Sequence, residues 1–206
     1  MKEKKGISEM KERFKALLLS TKREGMEQVV ELLEEQGFFL APASTRFHLS
    51  CEGGLLQHSM NVYEMARELR TLMVNKDESL VKLLPEESVI IAALLHDVCK
   101  TDIYRPSRVR MVNKLGLWPE APKYEVNYSL FPMGHGEKSV IWLLHHGLKL
   151  TEDEMLAIRW HMTAWDLPFQ SPEQKASLNA AKQRCPLLTL IQASDGLAAG
   201  ILERKS

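Results

Sequence analysis

Residues 89 to 100, VIIAALLHDVCK, constrain this chain most. The apolar run from Val89 to Leu95 predicts a helix built for burial. Pro85-Glu86-Glu87 suits its opening, since proline fits a first helical turn and acids fit its positive dipole. At its end stand an imidazole and a carboxylate, His96 and Asp97, with the Lys100 ammonium following at helical spacing. Burying such groups is costly unless partners satisfy them. Those partners have to come from elsewhere in the chain.

The chain has material for one core. It is 206 residues long and 45% apolar, which suits a single domain. Residues 1–40 read as N-terminal amphipathic helices packing on a main body of residues 41–206. The 27 basic and 27 acidic residues cancel. A zero balance lacks the basic bias of a non-specific nucleic-acid binder, although it leaves a local basic groove open. Cys51, Cys99 and Cys185 are scattered and odd in number, which suits a reducing compartment rather than a disulfide framework. The N-terminal MKEKKGISEMKERF lacks the apolar core of a signal peptide, and no apolar run reaches the length of a membrane span. The expected setting is cytoplasmic, without a membrane partner.

Hydrophobic periodicity predicts a mostly α fold. Met10, Phe14, Leu17 and Leu18, then Met26, Val29, Val30, Leu32 and Leu33, recur at helical spacing. A small-residue loop, APASTRFHLSCEGG, leads into a helix from Leu55 to about Leu72. Further helices are expected from Pro85 through His96, from His135 to His146, through Trp160 and His161 behind a Thr151-Glu154 capping box, from Ser171-Pro172-Glu173 onward, and from Leu187 to about Leu202. Residues 103–113 and 123–128 read as strands of a small β-hairpin insertion.

Several polar residues interrupt these apolar helical contexts: His58, His96, Asp97, His135, His161 and Asp195. Four imidazoles and two carboxylates on five helices can converge in a bundle, as ligands do in metal-binding helical proteins. Nitrogen and carboxylate oxygen without thiolate suit a catalytic Mn, Fe, Co, Ni or Zn site better than a structural zinc.

The ordered set H…HD…H…H…D, in the contexts GGLLQHS, LLHDVCK and GHGEKS, resembles the HD-domain metal-dependent phosphohydrolase superfamily over roughly residues 50 to 200. The resemblance implies an HD-type helical bundle for residues 41–206 and two divalent ions, Mg also being admissible. It implies that His58, His96, Asp97 and Asp195 hold one ion, and that Asp97 bridges to a second held by His135 and His161. It further implies a water activated by the metals as nucleophile, Asp97 and Lys100 as the catalytic pair, and Lys100 as a contact to substrate phosphate. The expected function is cleavage of a phosphomonoester or phosphodiester, of nucleotide type. Three alternatives stay open: a 3'-end nuclease on RNA or DNA, a nucleotide-sensing protein of low activity, and a di-iron oxygenase.

Other residues weigh less. Arg46, His48, Lys138 and Arg159 are candidate substrate contacts, Lys138 and Arg159 because they lie within a turn of His135 and His161. Arg105 and Arg108 stand behind them. Trp118, Tyr124 and Tyr128 suit either base stacking or the hairpin's own packing. Cys99 reads as a packing residue, and His145 and His146 as helix-end residues.

Overall fold

The computed structural model describes residues 2–106, 124–127, 131–163 and 171–204. The chain is mostly helical, with one two-stranded antiparallel hairpin among the described residues. In order, the elements are α1 (Lys2–Ser20), α2 (Met26–Glu35), a 3-10 turn (Phe38–Leu40), α3 (Gly54–Lys76), α4 (Leu80–Leu83), α5 (Glu86–Leu95), α6 (Lys100–Ile103), β1 (Tyr104–Pro106) and β2 (Tyr124–Val126). They continue with α7 (His135–His145), α8 (Glu152–Trp160), α9 (Pro172–Arg184), α10 (Pro186–Leu197) and a π-turn (Ala198–Leu202).

Helix α5 is the axis of the fold. Every residue from Ser88 to Leu95 is buried, because α1, α3, α8 and α10 pack around it. A helix apolar on all faces can only be a central one. The N-terminal helices add to the same core through Phe14, Leu18, Met26, Val29 and Leu33. Their attachment includes a part-buried ion pair in which Arg23 on the α1–α2 connection grips both oxygens of Glu154 on α8, at 2.7 and 2.8 Å. Glu154 closes the expected capping box as well, accepting from the Thr151 N–H at 2.9 Å while its own N–H donates to Thr151 Oγ1.

The apolar helix ends one residue earlier than the sequence suggests. α5 stops at Leu95, and His96 to Cys99 continue as tight turns before α6. Bonds from Val98 N–H to Leu95 O and from Lys100 N–H to Asp97 O wind this stretch with three-residue spacing. At that spacing residues i and i+3 eclipse, so Lys100 lies over Asp97 although the α-helix has ended. α8 likewise ends at Trp160, leaving His161 as its C-cap.

Two glycines set the approach of the site-bearing helices. A Cβ on Gly54, at the start of α3, would come within 2.0 Å of the Leu49 carbonyl oxygen. A Cβ on Gly136 would come within 2.1 Å of the Arg159 carbonyl oxygen, so glycine alone lets α7 lie this close to α8. Within the described residues the hairpin pairs Tyr104 with Val126 and Pro106 with Tyr124, and the expected strand positions 107–113, 123 and 128 lie outside them. Arg108, Trp118 and Tyr128, with the rest of that connection, lie outside them. Among the described residues no single helix is long and apolar enough to cross a membrane. Only α9 and the segment from Pro186 to Leu202 pass that test together, across a 102° bend.

Candidate metal centre

The six polar residues that interrupt apolar helices meet at one place. His58 comes from α3, His96 and Asp97 from the turns after α5, His135 from the start of α7, His161 from the end of α8, and Asp195 from α10. Asp97 is the hub. Its Oδ1 lies 2.5 Å from His135 Nε2 and 3.5 Å from His161 Nε2. Its Oδ2 lies 2.5 Å from Lys100 Nζ, 3.3 Å from His96 Nε2 and 3.5 Å from His58 Nε2. Asp195 Oδ1 reaches His58 Nε2 at 3.3 Å. His58, His96, Asp97 and His161 are all at most 2% exposed.

The imidazoles are aimed by their other nitrogens. His96 Nδ1 donates to Ala93 O at 2.9 Å and His161 Nδ1 donates to Ile158 O at 2.7 Å, each to the carbonyl three residues back. A carbonyl can only accept, so both Nδ1 atoms carry the proton and both Nε2 atoms offer lone pairs inward. His58 Nδ1 faces a carboxylate, Glu203, at 3.0 and 3.1 Å. His135 is held more weakly, its Nδ1 facing the Cys99 sulfur at 3.8 Å. Outer partners of this kind are how proteins orient metal ligands.

Toward the centre these atoms lack donors. His161 Nε2 is buried with no hydrogen-bond partner among the described residues, and His96 Nε2 faces His58 Nε2 at 3.3 Å. Two imidazole nitrogens facing each other repel unless a proton or a metal cation stands between them, and a buried acceptor without a donor, such as His161 Nε2, is costly. The residues therefore fit a metal ion. Donor atoms within 4.8 Å of one another form the sets His58, His96, Asp97 and Asp97, His135, His161, sharing Asp97. A further set, His96, His161 and Asp195, crosses between them. Asp195 therefore faces both groups of imidazoles rather than the His58 side alone.

Protons and ammonium stand in for cationic charge. Burial opposes the charged form of His58, but its contacts with Asp195, Asp97 and Glu203 raise its pKa to about 10. Burial also opposes the Asp97 carboxylate, yet Lys100, His96 and His135 hold it well below the ordinary carboxylate range. Lys100 stays charged despite burial because Asp97 is beside it. His161 goes the other way, lowered by burial and by His96 and His135 against the pull of Asp97.

The expected substrate contacts divide. His48 borders the centre, its ring 5.0 Å from that of His58, and burial with the charges of His58 and Lys100 lowers its pKa to about 4. Lys138 is 1% exposed and lies 2.8 Å from Asp102 Oδ1, over the Phe131 ring, which spends its charge inside the protein. Arg159 is ion-paired to Glu137 and stacked on Trp160 at 3.8 Å, so it ties α8 to α7. Arg46 is exposed and flanks Phe47. Cys99 is buried, as its packing role requires, though its sulfur touches a candidate ligand. His146 bonds to Trp142 O within α7, apart from the centre.

Glu203 is the residue that the sequence reading missed. It stands in LERKS, a run that reads as a solvated charged segment, yet its side chain is 1% exposed. The turn before it explains the difference. Glu203 N–H bonds to Ala198 O, five residues back, and this π-type widening rotates the carboxylate inward.

Compared with known proteins, the chain matches no family model, no curated protein and no solved structure. The centre is therefore read from its own residues.

Proposed function

We propose that the protein is a metal-dependent phosphohydrolase acting on a small phosphorylated substrate of nucleotide type. One observation carries the metal half of this reading: four imidazoles and two carboxylates converge on one largely buried centre, where His161 Nε2 has no hydrogen-bond partner among the described residues. His58, His96, Asp97 and Asp195 would hold one ion, and Asp97, His135 and His161 a second. Bound divalent ions supply acidified water and neutralise phosphoryl charge.

The chain's own groups supply the rest. Asp97 presents one oxygen to each imidazole set, which suits a shared ligand. Lys100 holds an ammonium against the centre, where it can meet the charge that grows on phosphoryl oxygens. That ammonium favours phosphate chemistry over an oxygenase, for which a fixed cation beside the centre has no evident use. The zero net charge favours a small substrate over a polynucleotide.

Elemental analysis joined to a screen of phosphorylated metabolites under several metals tests the reading. Release of phosphate that depends on Mn, Fe, Co, Ni, Zn or Mg and disappears in Asp97→Ala is expected. Full phosphatase activity in Asp97→Ala or His96→Ala would overturn it, and oxygen consumption with bound iron would turn it toward the oxygenase.

A further inference from the structure

We infer that Glu203 is the positioning residue for His58, fixing which nitrogen of that imidazole faces the centre; this rests on the metal-binding reading above. Glu203 receives His58 Nδ1 on both oxygens, at 3.0 and 3.1 Å, and both side chains are 1% exposed. A carboxylate accepts and does not donate, so it selects the tautomer that carries its proton on Nδ1 and bares Nε2 toward Asp97 and Asp195. The carboxylate is itself aimed. Asn61 Nδ2 donates to Glu203 Oε1 at 2.9 Å, and Gln57 Nε2 donates to Asn61 Oδ1 at 3.0 Å. Gln57, His58 and Asn61 share α3, so one helix carries both the ligand and the clamp on its partner.

His48 lies near the same carboxylate, its Nε2 3.9 Å from Glu203 Oε2, and His48, His58 and Glu203 form a triad of donor atoms. A cation in that triad would claim His58 Nδ1 as well as Nε2, leaving the ring no proton. The geometry favours an orienting bond.

The four Nδ1 atoms differ in their partners. His96 and His161 each have a backbone carbonyl, which no substitution removes, and His135 has a distant sulfur. His58 alone depends on a side-chain carboxylate, so Glu203 is where its orientation can be broken selectively.

Calorimetric titration of the chelator-stripped full chain with Mn2+, and the visible spectrum of the Co2+ form, test this. His58→Ala identifies the ion that depends on His58. In Glu203→Gln that ion is expected to bind ten- to a hundredfold more weakly, with an altered Co2+ spectrum, while the ion held by His135 and His161 keeps its affinity. Glu203→Asp should recover part of the loss. Asn61→Ala, which removes only the support of the carboxylate, should weaken the same ion roughly threefold. Wild-type affinities in both Glu203→Gln and Asn61→Ala would overturn the inference, as would equal weakening of both ions. A third ion in the wild type that vanishes in Glu203→Gln would overturn it in favour of a site at His48. A wild-type chain that binds no metal would overturn the centre itself, a result distinct from unchanged affinity in a metal-binding variant.

Discussion

Two buried carboxylates in this protein carry very different surroundings. Glu154 is closed: Arg23 donates to both oxygens, Ser88 Oγ donates to Oε1 at 2.7 Å, and the Thr151 N–H donates to Oε2. Asp97 has one cation too, Lys100 at 2.5 Å, but is otherwise ringed by imidazole nitrogens, of which one lacks any hydrogen-bond partner among the described residues. Both are buried acids on the same core. Burial of charge therefore says little about function, whereas the balance of donors and acceptors around it says much.

The sharpest way to break this comparison is to neutralise each acid. Asp97→Asn is expected to lose bound metal and to lower activity by about 10^3-fold or more, the scale of several kcal/mol of charge stabilisation, and to destabilise the metal-free chain as well, because the buried Lys100 ammonium loses its counter-charge. Glu154→Gln should instead keep the metal, while costing about 3 kcal/mol of stability because the part-buried Arg23 charge loses its partner. For a chain of this length the loss reads as a fall in Tm of roughly 10 °C. Metal content and Tm measured on both variants decide the matter, and loss of both properties in both variants would dissolve the distinction.

Lys100→Met tests whether the charge beside Asp97 serves phosphate. Turnover is expected to drop about 10^2-fold, the scale of removing one fixed donor, with metal content unchanged. Loss of the metal instead would make Lys100 a structural counter-ion like Arg23. Gly136→Ala is expected to push α7 away from the Arg159 carbonyl and so separate His135 from His161. The ion they would hold should weaken roughly tenfold, the lower end of what disturbed ligand support costs, and the His58-dependent ion should not. Calorimetry resolves the two.

The last effect is in pH. In the metal-free chain His58 titrates near 10, above its ordinary 6.5, because Asp195, Asp97 and Glu203 outweigh its burial. A pKa raised by folding gives stability that is complete below the unfolded value and is lost as pH rises through the folded one. Metal-free Tm should accordingly decline between about pH 6.5 and 10, and Mn2+ uptake should release protons and tighten over the same range. A metal-free Tm that climbs with pH there would contradict a protonated His58.

The site was legible where a polar residue broke an apolar pattern. His58, His96, Asp97, His135, His161 and Asp195 each stand in a helical stretch that is otherwise for burial, and the structure brings all six together. Glu203 was not legible, since nothing local marks a π-turn and its neighbours are charged. Lys138 and Arg159 show the limit of sequence proximity. Proximity to His135 and His161 was real, but Asp102 and Glu137, which engage them, arrive through packing between elements. The helix content was readable from periodicity. The end of α5 was not, because the tight turns at His96 to Cys99 contain no proline or glycine.

The bond between His58 and Glu203 joins positions 145 residues apart. A centre that gathers side chains from α3 through the π-turn can close only after those helices have docked, since long loops must first be brought together. Metal uptake should thus follow folding in time and report its completion. Once bound, an ion would tie these distant segments into one cooperative unit, so that opening any one of them requires releasing it. Slow amide exchange spreading together through α3, α7 and α10 on addition of Mn2+ would be the signature of that clasp.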